Sequence, residues 1–222
     1  MGLNEKFFAS SQYESLAILD WDAGNSNSYS GTGNTWGDLS GNNNNGTRVG
    51  NPPWNSGGYF TFNGSSQYFT TPLTQGTSAT FSFACHFKVP DVSGRKFLIG
   101  DTDAGGNSKT GRFALEIFND EFRFIPGNGT TFDVMSSTSA NITANSFHHI
   151  CVTINWTTVK FYYNGTLINT FTMAFSWGNA GERTYTIGTV GDYRAALLFK
   201  GDMAVVQLYD IELTQAQVTA LQ

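Results

Sequence analysis

Apolar and polar residues alternate along most of this chain, and a period of two belongs to strands, whose successive side chains point to opposite faces. The longest run is Ala79–Val89, where Phe81, Phe83, Cys85, Phe87 and Val89 share one phase. Shorter runs obey the same rule. They are Ser15–Asp20, Gly58–Phe62, Gln67–Thr71, Lys96–Ile99, Arg112–Ile117, Glu121–Ile125, Thr131–Met135, Phe147–Asn155, Val159–Tyr163, Leu167–Phe171, Thr184–Gly188 and Leu197–Tyr209. Asn63-Gly64, Asn119-Asp120 and Asn164-Gly165 punctuate them with residues that tolerate the positive φ of tight hairpins. Helical periodicity is confined to the end. There Thr214 is an N-cap, Gln217 completes a capping box, and Leu213 with Val218 forms a hydrophobic staple. Roughly a dozen strands with a single helix exclude alternating βαβ units and predict an all-β sandwich. Met203, Val206 and Leu208 share a face only if a bulge lies near Ala204–Val205; otherwise that strand is buried on both faces.

With 222 residues the chain fits one domain, and one of this size buries roughly 70% of its extended-chain surface. Its 33 aromatic residues, 19 of them Phe, can fill the core that this implies. Only 13% of residues are charged, so Ser, Thr, Asn and Gly must supply surface polarity. Net charge is −5 and no basic cluster occurs, which argues against nucleic acid as a partner. No apolar run is long enough to cross a membrane as a helix. The opening MGLNEKFFASSQYE has neither the cationic start nor the apolar middle of an export signal. Cys85 and Cys151 fall in opposite phases of their strands and are expected to be free thiols on different faces.

One long segment breaks the strand pattern. Residues 21–47, WDAGNSNSYSGTGNTWGDLSGNNNNGT, are almost free of aliphatic residues and hold no Lys or Arg. A loop of that length inside a compact domain is unusual. Trp21, Trp36 and Leu39 are the residues able to pin it, and its Asn/Gly richness reads as turn chemistry first and recognition surface second.

Four stretches carry a family resemblance. DAGNSNSYSGTGNTWGDLSGNNNNGT followed by GGYFTFNGSSQYFTTP resembles the opening of laminin-G-like modules of bacteriophage structural proteins. FSFACHFKVP resembles the long strand that follows, SFHHICVTINWTTVKFYYNGTLINT the hairpin ending in Tyr-x-Asn-Gly, and FKGDMAVVQLYDIELTQAQVTAL the closing strand and helix. The chain thus resembles the laminin-G-like branch of the concanavalin A-like lectin/glucanase superfamily over residues 15–222. The resemblance implies a two-sheet antiparallel jelly-roll sandwich with one short C-terminal helix. Residues 1–14 fall outside it and are expected to form an N-terminal arm, with Phe7 and Phe8 either docked on a neighbouring subunit or frayed. The biological setting it implies is a non-enzymatic bacteriophage virion protein, decorating the capsid or associated with the tail. Such a protein would be present in multiple copies among other virion proteins and would contact host-surface glycans. The alternative is a carbohydrate-binding, lectin-like module of a secreted or cell-surface protein.

Fold alone does not assign function, so candidate chemistry is read residue by residue. Sugar faces stack on exposed aromatics beside Asn and Asp; Trp36, Trp54, Trp177 and Tyr193 are candidate carbohydrate contacts, each with the competing role of plugging a loop onto the sandwich edge. Asp101, Asp103 and Asn107 place hard oxygens at alternate positions, which suits calcium, although Gly105 and Arg112 depart from an EF-hand and a solvated turn competes. Asp38 and Asp192 are weaker candidates, and no other cofactor is indicated. Glycoside hydrolysis needs paired carboxylates. Glu116, Asp120 and Glu121 do not align at strand spacing and read as exposed hairpin charges, so no catalytic residue is assigned. His148 and His149 are adjacent on a strand and cannot act jointly.

Overall fold

The computed structural model describes residues 14–74, 80–101, 113–128, 130–175, 184–191 and 198–222. Among these, a short 3-10 turn at Glu14–Leu16 precedes β1 (Leu19–Asp22), β2 (Thr35–Trp36), β3 (Gly46–Val49), β4 (Trp54–Asn55), β5 (Tyr59–Asn63), β6 (Tyr68–Thr74), β7 (Thr80–Lys88) and β8 (Arg95–Gly100). Next come β9 (Phe113–Phe118), β10 (Glu121–Pro126), β11 (Met135–Ser136), β12 (His148–Asn155), β13 (Thr158–Tyr163), β14 (Thr166–Thr172), β15 (Thr184–Ile187), β16 (Lys200–Tyr209) and α1 (Gln215–Ala220). The first sheet runs β14-β13-β12-β7-β16-β5-β4, with β1 also on β16, and the second runs β11-β10-β9-β8-β15-β6-β3-β2. Every pairing is antiparallel. This is the expected two-sheet jelly-roll.

Alternation decides which residues meet between the sheets. Phe81, Phe83, Cys85 and Phe87 of β7 join one core with Leu115, Ile117, Phe122 and Phe124 of the second sheet. Cys151 belongs instead to a smaller cluster on the outer face of the first sheet, with Ala84, Tyr162, Tyr209, Leu213, Val218 and Leu221. Both thiols are buried and free, on opposite faces as their phases require.

Both expectations for the last long strand hold together. Its register against β7 shifts between Met203 and Val205. That bulge turns Met203, Val206 and Leu208 to the same inner core. The strand is also covered outside, where Tyr209 packs under the terminal helix. The helix cap is as read: Thr214 and Gln217 make the reciprocal capping box.

Three local expectations need correction. The first strand begins at Leu19, because Glu14–Leu16 turns before it. The run at 131–135 is reduced to an isolated bridge, Gly127 with Phe132, followed by two-residue β11. The segment 21–47 contains the end of β1, all of β2 and the start of β3, strands too short to show alternation. The long loop is therefore packed onto the sandwich through these short strands and its buried aromatics. Trp21 and Trp36 are fully buried, with ring centroids 5.3 Å apart. Trp36 also lies 4.7 Å from Phe60 and 5.1 Å from Phe69.

Candidate functional site

Burial removes the first of the aromatic candidates. Trp36 is 0% exposed and has no free face for a sugar. Trp54 is half-buried; its Nε1 donates to the Ala23 carbonyl at 2.9 Å, and its ring lies 5.9 Å from Tyr29. Gly31 sits against it so closely that a Cβ there would come to 3.2 Å. Both residues plug the 21–47 loop onto the sandwich. Trp177, Tyr193, Phe7 and Phe8 lie outside the described residues, as do Asp103, Asn107 and Asp192. Asp101 is buried at the end of β8, and one carboxylate does not constitute an ion site. Among the described residues no three His, Cys, Asp or Glu side chains converge as metal ligands. Asp38 is committed to its own loop, accepting from the amides of Asp20, Ser40 and Asn44.

The carboxylates near the second hairpin are separately engaged. Glu116 is not an exposed hairpin charge, as its sequence position suggested, but is completely buried. Arg95 grips it with Nε 3.0 Å and Nη2 3.2 Å from its two oxygens. Burial nevertheless pushes the Glu116 carboxyl above its ordinary range, against the opposing charges of Arg95 and Arg123. Asp120 accepts from the Ile142 and Asn141 amides at 2.7 and 3.1 Å, while Glu121 faces Arg123 at 3.5 Å. These three do not present an acid and a base to one cleft.

The histidines divide as alternation requires. His148 points inward, donating through Nε2 to the Thr143 carbonyl at 2.9 Å and accepting at Nδ1 from the Tyr163 hydroxyl at 2.7 Å. His149 points to the opposite face, against His86.

An aromatic that sequence reasoning overlooked stands out instead. Trp156 is 68% exposed, the most exposed of the large apolar side chains described. It occupies the tip of the β12–β13 hairpin with φ of 55°. That conformation suits Gly or Asn in a two-residue hairpin loop and is a genuine outlier for a bulky side chain. Such strain persists where the surrounding structure imposes it, and it clusters at functional sites. The flanking register is tight, Asn155 pairing with Thr158 and Ile154 with Val159.

A polar cluster begins one residue from that indole. Asn155 Nδ2 donates to Glu212 Oε2 at 2.6 Å and Lys160 Nζ to Glu212 Oε1 at 2.7 Å. Hydrogen bonding to Glu212 raises the Lys160 pKa. Burial disfavours the charged form of Glu212, but the bonds from Lys160 and Asn155 prevail and hold its carboxyl below the ordinary range. Both are thus charged at neutral pH and offset each other. Beyond them opens a groove of about 430 Å³ lined by Lys160, Tyr162, Leu167, Glu212, Leu213, Thr214 and Gln215. Leu167 is 43% exposed at its wall. The paired charges, amide and apolar wall of the groove can hydrogen-bond sugar hydroxyls, and the exposed indole, next in sequence to Asn155 that bonds Glu212, offers a face for a sugar ring.

Residues 63–219 match the laminin-G model described as the Concanavalin A-like lectin/glucanases superfamily. No curated protein sequence matches the chain. Among solved structures, the binding domain of botulinum neurotoxin serotype D is similar at 13% identity and TM-score 0.69, over 93% of this chain and 51% of that one. The chain therefore spans about half the length of that binding domain. The binding domain of botulinum neurotoxin DC, in complex with rat synaptotagmin II, is similar at 16% identity and TM-score 0.67, over 94% and 51%. Domain 4 of AbnA, a GH43 extracellular arabinanase from Geobacillus stearothermophilus in complex with arabinotriose, is similar at 18% identity and TM-score 0.68. That match covers 93% of this chain and 98% of that domain.

Proposed function

The chain belongs to the laminin-G-like branch of the concanavalin A-like lectin/glucanase superfamily, and on that premise we propose that it is a non-enzymatic glycan-binding module. The exposed, left-handed Trp156 carries this reading. Its indole is the stacking platform, Lys160, Glu212 and Gln215 are the hydrogen-bonding groups of the groove, and Asn155, beside the indole, bonds Glu212. Mutual neutralisation of Lys160 and Glu212 favours uncharged sugars.

The biological setting that we propose is a bacteriophage virion, with the module as a capsid-decorating or tail-associated structural protein in multiple copies. Its support is the resemblance of residues 22–47 to modules of phage structural proteins and the low charge content. Mass spectrometry of purified particles tests the setting, and absence of the chain from them would overturn it. The second reading, a carbohydrate module of a secreted or cell-surface protein, is favoured by the end-to-end match with an arabinanase domain in complex with arabinotriose.

Replacement of Trp156 separates binding from folding. Trp156→Gly should abolish binding on an array of neutral oligosaccharides that includes arabinotriose. It should hold or raise stability by up to about 1 kcal/mol, because glycine relieves the positive φ. Unchanged binding by the variant, or no glycan binding by the parent chain, would defeat the proposal.

A further inference from the structure

The outer face of the first sheet holds a second arrangement that glycan contact does not use. His86 and His149 are direct cross-strand neighbours on β7 and β12. Their ring centroids are 4.7 Å apart, and each residue is 3% exposed. His86 Nε2 donates to the Leu221 carbonyl at 2.8 Å. Neither ring nitrogen of His149 has a hydrogen-bond partner. The chain's last segment covers the pair. Leu221 lies over His86, and Gln222 lies so close to Gly165 that a Cβ there would overlap it. Asn164, next to Gly165, exchanges hydrogen bonds with the His149 backbone.

The surroundings offer an imidazolium little compensation. On the same strand faces stand Lys88 beside His86 and Cys151 beside His149, while β16 sets Val205 opposite His86. From β13 comes Tyr162, opposite Cys151, while Tyr163 next to it faces the inner core and bonds His148. The acids of this face have other partners: Asp202 takes Lys88 at 2.7 Å, Glu212 takes Lys160 at 2.7 Å, and Asp20 accepts from Gln207 at 3.0 Å.

We propose that this histidine pair is an acid-operated latch on the groove: protonation favours a state in which residues 210–222 lift off the sheet, and the groove opens out with them. The consequence for ligand rests on the glycan reading, whereas the latch itself does not. The link is structural, because Glu212, Leu213, Thr214 and Gln215 form one wall of the groove and belong to the segment that covers the histidines.

Burial holds the His86 pKa down to about 4. Burial, and then the charge of His86, holds His149 well below its ordinary value. Exposed histidines titrate near 6.5. Between those limits the lifted state binds protons that the docked state refuses, so docking is complete above about pH 7 and weakens as pH falls. At pH 5 each exposed histidine multiplies the opening constant by about 30, and the two together by about 10³.

Amide hydrogen exchange on the full chain at pH 7.5 and 5.0, expressed as protection factors, tests this. Protection of residues 213–221 should fall by about 10³ while β12 keeps its protection. His149→Phe should leave a fall of about 30-fold, and His86→Gln combined with His149→Phe should leave none. Protection of 213–221 that is flat with pH, an equal fall throughout β12, or an acid response surviving in the double variant would each overturn the latch. Arabinotriose titrations run alongside separate the two ideas. No binding at pH 7.5 removes the glycan reading and leaves the latch to the exchange data. Binding that persists at pH 5.0 while 213–221 exchanges freely overturns the coupling.

Discussion

Trp21→Ala is expected to lower the unfolding free energy by about 4–5 kcal/mol, measured by urea denaturation with far-UV circular dichroism. Trp21 is 0% exposed, so truncation forfeits the full transfer free energy of an indole and leaves a cavity, together worth about 3–5 kcal/mol. The site cannot easily collapse, because Trp36 at 5.3 Å and Phe69 at 6.0 Å are themselves held by other rings. The indole Nε1 also donates to the Asn44 carbonyl at 2.9 Å, which ties the far end of the long loop to β1. Against a total stability of about 5–15 kcal/mol, the variant should be marginal or unfolded at 37 °C. The same packing can be strained from the other side. A Cβ on Gly46 would lie 2.6 and 2.7 Å from Trp21 Cη2 and Cζ2, so Gly46→Ala should cost about 1–3 kcal/mol by overpacking. Trp21→Phe should relieve part of that cost in the double variant, a coupling that a double-mutant cycle reads directly. A Trp21→Ala penalty below about 2 kcal/mol would mean that the loop end repacks freely.

The strands were legible because their signal is local. Period-two runs place β5 to β10 and β12 to β16 within a few residues, and for β16 three apolar residues offered a bulge or burial on both faces, of which the strand has both. The short β2, β3 and β4 were not legible, since two to four residues give no alternation to read. Trp36 shows the same limit at the level of function. A Trp flanked by Gly, Asn and Asp reads either as a pin for its loop or as a surface platform, and the pairing of Trp36 with Gly46 and its place in the core decide for the pin. Glu116 was misjudged because the grip of Arg95 depends on β8 pairing with β9. Trp156 was missed although its signal was present: two alternating runs separated by only Trp-Thr-Thr put the Trp into a hairpin loop, which the pairing of Asn155 with Thr158 tightens to two residues. The family match itself begins at residue 63, so the loop that first suggested the family lies outside the matched region and joins it through core packing.

A single carboxylate gathers four of the hydrogen bonds that hold that loop, and Asp38→Ala should cost about 3–4 kcal/mol. Asp38 Oδ1 accepts from the Asp20 amide at 2.8 Å and the Ser40 amide at 3.0 Å. Oδ2 accepts from the Asn44 amide at 2.8 Å and the Ser40 hydroxyl at 2.8 Å. Hydrogen bonds to a charged acceptor are worth about 1.5–3 kcal/mol each, but they share one side chain and do not add in full. Truncation leaves three amides without an acceptor, one of them on Asp20, a residue only 2% exposed. It also frees Asn44, whose carbonyl receives the Trp21 indole and whose side chain donates to the Ile18 carbonyl at 2.7 Å. Asp38→Asn keeps one strong acceptor oxygen and should cost about half as much. Loss should appear first as cleavage near Gly41–Asn45 under limited proteolysis, before the sheets melt, because the turn there is surface chain held by these bonds. If Asp38→Ala instead costs less than about 1 kcal/mol, the two buried tryptophans hold the loop by packing alone, and the Asn/Gly-rich turn is free to vary without consequence for the fold.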